Sequence, residues 1–341
     1  MDNKTAFVLG ATGQIGRAAV RALAEDGWSV RAASRGGGQD PAWPASVEAV
    51  RLDREDDAQL AAALGDGADV LVDMVAYDKR HARQLTGLGD RIGSVVAIST
   101  GAVYEDDQGR GFDTMASPAG PPCYPVPIPE SLGTVAPGDA TNSTRKIDLE
   151  RELLESALPS TLLRAGAVHG PHCRSPRELH FVKRALDRRP VRILAFGGRS
   201  RFHPAHVDNI AELIRLAALR PGSRILNAAD PEAPTVAEIS AAVDDVLGAH
   251  GEIVPVEGLP DSGVGLTPWS GPHPIVFDMA AAERELGYRP VTGYAESLPR
   301  TVEWIAGQLE GRDWREAFPA MTKYGDLFDY AAEDAWLAGR H

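Results

Sequence analysis

Three glycines in the segment VLGATGQIGRAAV, namely Gly10, Gly13 and Gly16, follow the short apolar run Thr5–Leu9. They open a stretch in which Ile15, Ala19, Ala22 and Leu23 recur at helical spacing. Strand, glycine turn and helix in that order make an anion cradle. Gly10 permits a tight turn, Gly13 lets the backbone approach a pyrophosphate, and Gly16 allows the helix to pack closely on the strand, while the free N–H groups and positive dipole end of the helix attract negative charge. The pattern predicts a dinucleotide held by Gly10, Thr12, Gly13, Gln14, Ile15 and Gly16.

A carboxylate about twenty residues further on would bind the ribose hydroxyls of NAD. Here that position reads AASRGGG, so Ser34 and Arg35 offer a hydroxyl and a cation, which favours NADPH over NADH unless Arg35 simply points to solvent. Asp53, in RLDRED after the third strand, is placed to accept from an adenine amino group or to cap the next helix. Arg54, and Met74, Val75 and Ala76 after the fourth strand, complete the expected nucleotide wall.

These residues need a scaffold, and further apolar runs at Ser29–Ala33, Val47–Leu52, Asp69–Val75 and Ser94–Ser99 alternate with helix-forming segments such as Asp57–Leu64. Alternation of this kind predicts an α/β fold, a Rossmann-type doubly wound parallel sheet with helices on both faces. From Glu105 to Ala140 the pattern gives way to Gly, Pro and acidic residues, including PPCYPVPIPE, and is expected to form an irregular binding loop, lid or surface loop. Order resumes with a helix over 142–156, a strand at Ser160–Arg164, helices at Arg177–Arg188 and His206–Leu219, and a strand at Arg224–Asn227. The expected division is a nucleotide-binding domain over 1–170, joined by 203–230, and a smaller α+β substrate lobe from 171–202 and 231–341. The last segment ends in a helical tail carrying Trp314, Phe318, Tyr324, Phe328, Tyr330 and Trp336, which is expected to pack on its own chain or on a partner subunit.

Composition excludes several classes. A net charge of −13 opposes binding to a nucleic-acid backbone. Apolar runs such as Val95–Ile98 fall far short of the roughly 20 residues that span a bilayer, so no membrane partner is expected. A strand beginning by Thr5 leaves no room for a secretory signal, and a cytoplasmic location is the expectation. Cys123 and Cys173 stand far apart without a second metal-ligand pair, so neither a disulfide framework nor a metal site is implied. No HExxH or GxSxG motif supports hydrolysis.

Over most of its length the chain resembles the NAD-dependent epimerase/dehydratase family, the extended form of the short-chain dehydrogenase/reductases. Beyond the glycine loop the resemblance rests on AISTGAVY at 97–104, LLRAGAVHGP at 162–171, HPAHVDNIAELI at 203–214, ILNAADPEAPTVAEI at 225–239 and MAAAERELGYRP at 279–290. It implies that Ser99 and Thr100 polarise a substrate oxygen and that Lys146 is the lysine of a Tyr-x-x-x-Lys pair and binds the nicotinamide ribose, unless it is a surface lysine paired with Glu150. Four residues before Lys146 stands Asn142, which cannot relay a proton as a phenol does.

Candidates for the missing donor are Tyr104, which otherwise lines the substrate, His169, which otherwise is structural, and Tyr124 in the proline-rich loop. The resemblance also places Ala165 and Val168 beside the nicotinamide. Gly101 and Ala102 stand where the family's 4,6-dehydratases carry Asp-Glu, which disfavours that reaction. In the substrate lobe His172, Arg174, Arg177, Arg201 and His203, with Tyr124 and Asn142, suit a small anionic or sugar-nucleotide-like ligand, although Arg177 and Arg184 equally fit a solvated helix face. The functional expectation is an oxidoreductase or epimerase using NADP(H), with NAD(H) as the other cofactor. The alternatives are a non-catalytic nucleotide sensor or a non-redox elimination or isomerisation, and a homodimer is inherited from the resemblance.

Overall fold

The computed structural model describes residues 4–259 and 263–339. The chain begins with β1 (Thr5–Leu9), α1 (Gln14–Glu25), β2 (Ser29–Ser34), β3 (Glu48–Arg51) and α2 (Asp57–Leu64). It continues through β4 (Val70–Asp73), α3 (Lys79–Thr86), β5 (Val95–Thr100), α4 (Asn142–Leu154) and β6 (Ser160–Ala165). Then come β7 (Ala167–His169), α5 (Leu179–Leu186), β8 (Val191–Leu194), β9 (Pro204–His206), α6 (Val207–Leu219) and β10 (Arg224–Ala228). The remainder is α7 (Val236–Leu247), β11 (Glu252–Pro255), α8 (Ala280–Leu286), α9 (Tyr294–Leu309), α10 (Trp314–Ala317) and α11 (Tyr330–Ala338).

Two compact units share these elements. The first comprises residues 1–166, 207–229 and 277–291. Its seven-stranded sheet runs in the order β10-β6-β5-β4-β1-β2-β3, and every neighbouring pair is parallel. A parallel sheet covered on both faces needs strands that are apolar throughout, and all of β4 and β6 is buried. Phe7, Leu60, Leu64, Leu71, Leu85, Leu149, Leu153 and Leu162 form its core, each burial stabilising by about 1.5–3 kcal/mol. Strand order reverses between β1 and β4, and the crevice beyond their carboxyl ends is where a doubly wound sheet receives ligands. Asp56, Asp78 and Thr141 cap α2, α3 and α4 with side-chain oxygens.

Three boundaries differ from the expected ones. Residues 167–170 fall outside the nucleotide-binding unit and residues 203–206 do not return to it, because β7 and β9 pair in the second unit. Conversely, residues 277–291 join the first unit, where the Asp278 N–H donates to Ile128 O at 2.9 Å and the Val291 N–H to Asn209 Oδ1 at 2.9 Å. The irregular segment after β5 is tied down by Asp106, whose carboxylate accepts the N–H groups of Gln108, Arg110 and Cys123 and the Arg110 guanidinium. Against the upward push of burial, those donors hold its carboxyl at about 2.

The second unit, residues 167–206, 230–276 and 292–341, carries the parallel pairs β7–β9 and β8–β11. Its core contains Phe181, Trp269, Leu298, Trp314, Phe318 and Met321, so the aromatic tail packs on its own chain. Arg184 is buried there and not on a solvated helix face, as its guanidinium pairs with Glu333 and donates to Leu327 O at 2.9 Å. Among the described residues, no helix is long and apolar enough to cross a membrane, and no group of three or more His, Cys, Asp or Glu is placed to hold a metal ion.

Candidate nucleotide and proton-transfer site

The glycine loop sits between β1 and α1 at the switch point. Gly10 has φ +78°, and a Cβ there would lie 2.8 Å from Val75 Cγ1. At Gly16 a Cβ would fall 2.3 Å from Gly10 O and 2.8 Å from Ala11 O, so any side chain would push α1 off the turn. Helix α1 has Gly13 as its N-cap, with no side-chain cap and no acidic residue in its first turn. The positive dipole end of α1 thus meets no capping side chain and no carboxylate of its own first turn, and the cradle fits the pyrophosphate of a dinucleotide. Thr12, Gln14 and Ile15 are half-buried around it. Val75, 45% exposed after β4, presents an apolar face directly against Gly10, with Met74 half-buried beside it.

At the end of β2, Ser34 is buried and its Oγ accepts the Gly37 N–H at 3.1 Å. Arg35 is exposed, whereas the neighbouring Arg17 is committed to buried Asp40. Asp53 is exposed, and its Oδ1 accepts the Glu55 N–H at 3.1 Å in a local turn; the cap of α2 is Asp56. Arg54 is buried and paired with Asp73, whose other oxygen fixes the turn after β4 by accepting the Val75 N–H at 2.8 Å.

Helix α4 delivers Lys146 to the same edge. Its Nζ donates to Ala76 O at 2.6 Å and Ile98 O at 2.7 Å, joining the carboxyl ends of β4 and β5. This excludes a surface lysine paired with Glu150. Burial lowers its pKa to about 8, a shift opposed by Asp73 and Glu150 and reinforced by Arg54.

Ser99 and Thr100 part company, as successive strand residues must. The Ser99 hydroxyl is buried and donated to Glu150 Oε1 at 2.5 Å, and Glu150 also accepts Arg164 at 2.6 Å. Only Thr100 stays half-exposed, its Oγ1 accepting the Ala102 N–H at 3.1 Å.

The phenols expected to replace the missing one are committed elsewhere. Tyr104 is fully buried, donates to Asn227 Oδ1 at 2.7 Å and lies under the Arg164 guanidinium. Burial pushes its hydroxyl up to about 12. Tyr124, expected as a mobile lid residue, is buried and donates to Tyr104 O at 2.8 Å, and burial raises its pKa. Asn142 is exposed, one turn before Lys146 on α4.

Tyr77 is the residue sequence reasoning passed over. It follows Ala76, whose carbonyl accepts Lys146, and it is 38% exposed. The Arg145 guanidinium lies 5.6 Å from its ring centroid, with Nη1 3.5 Å from its hydroxyl. The available signal was its place directly after the predicted wall residues Met74, Val75 and Ala76.

In the second unit the expected substrate residues scatter. His169 is buried, with Nε2 2.6 Å from Asp230 Oδ2. Buried His203 has Nε2 2.8 Å from Asp230 O, and burial lowers its pKa. Arg177 stacks on Phe202 and Trp269 with its guanidinium 4.8 and 5.6 Å from the ring centroids. Arg201 is exposed and donates to Ala233 O at 2.8 Å. Arg174 and His172 are also exposed, the latter at φ +64°. Val168 is half-buried on β7, while Ala165 is buried at the end of β6 in the first unit.

Comparison with known proteins bears on the fold. Residues 10–113 match the NAD(P)H-binding family. An epimerase from Methanothermobacter thermautotrophicus shares the fold with a TM-score of 0.69 at 18% identity, covering 91% of this chain and 94% of its own. The UDP-N-acetylglucosamine 4-epimerase of Methanobrevibacter ruminantium M1 gives 0.68 at 19%, covering 91% and 100%. That of Bacillus cereus gives 0.66 at 16%, covering 91% and 98%. No curated protein matches. The chain thus shares the fold of these epimerases, and its amino-terminal segment is similar to the NAD(P)H-binding family.

Proposed function

We propose that this protein is an oxidoreductase or epimerase that binds NADP(H), with NAD(H) as the weaker ligand, and acts on a hydroxyl or carbonyl of a small anionic substrate. The observation that carries this reading is the glycine cradle, where a Cβ at Gly16 would meet Gly10 O at 2.3 Å and α1 starts at Gly13 with no side-chain cap and no acidic residue in its first turn. A bound nicotinamide supplies or withdraws hydride. The chain's own residues do the rest: the cradle holds the pyrophosphate, exposed Arg35 meets a 2′-phosphate, Val75 covers an apolar face, and Thr100 orients a substrate oxygen. Lys146 holds the ends of β4 and β5 at a fixed spacing. The epimerase neighbours that carry UDP-sugar names, together with exposed Arg174 and His172, support a sugar-nucleotide-like substrate.

Titration with NADPH and NADH by nicotinamide fluorescence tests the reading, followed by a panel of carbonyl compounds and nucleotide sugars. Tighter NADPH binding with turnover of at least one member is expected, and failure to bind either nucleotide overturns it. A second reading, a nucleotide sensor without catalysis, draws on Asn142 at the phenol position and on the buried hydroxyls of Tyr104 and Tyr124. It predicts NADPH binding with no turnover across the same panel.

A further inference from the structure

The fold brings one phenol to the α4 corner from a different element. Of the tyrosines in the first unit, Tyr104, Tyr124 and Tyr288 are at most 5% exposed, whereas Tyr77 is 38% exposed. Tyr77 is held in place from two sides. Its N–H donates to His81 Nδ1 at 2.9 Å, and His81 Nε2 stands 2.9 Å from Glu55 Oε1. Across the corner, the Arg145 guanidinium lies against its ring and 3.5 Å from its hydroxyl, while the next residue, Lys146, donates to the carbonyl of Ala76.

We propose that Tyr77 is the proton-transfer residue of this protein, with Arg145 the cation that positions its hydroxyl. A phenol on the β4–α3 turn thereby does the work that Asn142 on α4 cannot. The inference rests on the oxidoreductase reading above. In reduction, a substrate carbonyl carbon gains hydride from the reduced nicotinamide nucleotide, and its oxygen takes the Tyr77 hydroxyl proton. The phenolate left behind faces the Arg145 guanidinium and regains its proton from water; oxidation runs the same exchange in reverse. Arg145 suits the position because a guanidinium stacks on an aromatic face while its N–H groups meet an oxygen.

The test begins with protein carrying 13Cζ-labelled tyrosine, whose Tyr77 resonance is assigned by its loss in Tyr77→Phe. Saturation with NADPH is expected to shift the Tyr77 resonance and to leave those of Tyr104 and Tyr124, whose hydroxyls are tied within the core, in place. On a substrate found in the panel, Tyr77→Phe is expected to lower kcat about 100-fold or more with NADPH affinity within about twofold of wild type. Arg145→Met is expected to lower kcat about tenfold under the same condition. Adding Asn142→Tyr to Tyr77→Phe, which builds a phenol one turn before Lys146, is expected to restore part of the lost kcat. A Tyr77 resonance that stays fixed while NADPH binds, or a Tyr77→Phe kcat within about threefold of wild type, overturns the proposal and makes the Arg145–Tyr77 contact surface packing. Loss of NADPH binding to the unaltered chain instead overturns the oxidoreductase reading itself.

Discussion

The glycine loop and the α4 corner lie at the same edge of one sheet, yet they are built on opposite principles. In the proposed reading the loop acts through main-chain N–H groups, and its requirement is the absence of side chains at Gly10, Gly13 and Gly16. The corner is built from side chains drawn from several elements: Lys146 from α4, Asp73 from the end of β4, Tyr77 from the turn after it, Arg54 from the turn after β3, and Glu150 bridging Ser99 and Arg164. A backbone site tolerates no substitution, because any Cβ occupies the ligand's or the helix's space. A side-chain site can exchange members, so long as another element delivers an equivalent group. The loop therefore carries its expected pattern here, while Asn142 stands at the corner where the resemblance expects a phenol.

The sharpest contrast comes from removing charge in the corner. Glu150→Leu strands the buried Arg164 and is expected to cost about 3–5 kcal/mol of stability in urea denaturation. A loss under about 1 kcal/mol would mean that the corner is not built around this ion pair. At the loop, Gly16→Val is expected to abolish detectable NADPH binding and to cost about 1–3 kcal/mol through overpacking against Gly10 O. Unchanged affinity for that variant would remove the distinction between the two regions.

The pH dependence of the corner gives a smaller effect of definite sign. Lys146 is held at about 8 against an ordinary 10.5, so between those values the unfolded chain binds a proton that the folded chain does not. Stability of the wild type relative to Lys146→Met is thus expected to rise with pH across that window, by at most about 1.4 kcal/mol per pH unit, and to level off below it. A difference that is flat from pH 8 to 10 contradicts the buried ammonium. The mildest change, Arg35→Ser, is expected to weaken NADPH about tenfold while sparing NADH, measured by the same fluorescence titration. Equal weakening of both nucleotides would take Arg35 away from the 2′-phosphate.

How far the sequence could be read follows from the same contrast. The strand, glycine turn and helix at the amino end were legible, as were the parallel sheet and most of its elements, because apolar runs and glycine spacing are local signals. The opposite facing of Ser99 and Thr100 was also available, since strand residues alternate. What could not be read were pairings between distant segments. Nothing local announces that Arg54 meets Asp73, that Tyr104 spends its hydroxyl on Asn227, or that Arg184 is buried against Glu333 from α11. The return of residues 277–291 to the first unit depends on contacts with Ile128 and Asn209, which no period in the chain encodes. Tyr77 was overlooked because reasoning from a Tyr-x-x-x-Lys spacing looks along one helix, and this phenol arrives from a turn.

The last strand of the parallel sheet has a consequence for synthesis. β10 pairs with β6 from Arg224↔Thr161 to Ala228↔Ala165, yet the chain makes β7, α5, β8, β9 and α6 between the two. While the ribosome is working through that stretch, the outer edge of β6 presents unpaired N–H and C=O groups on a strand made of buried residues, the kind of edge to which another chain can add. The nascent protein is therefore exposed to misassembly after its glycine loop has already emerged, and shortening it anywhere before residue 224 would make that transient state permanent.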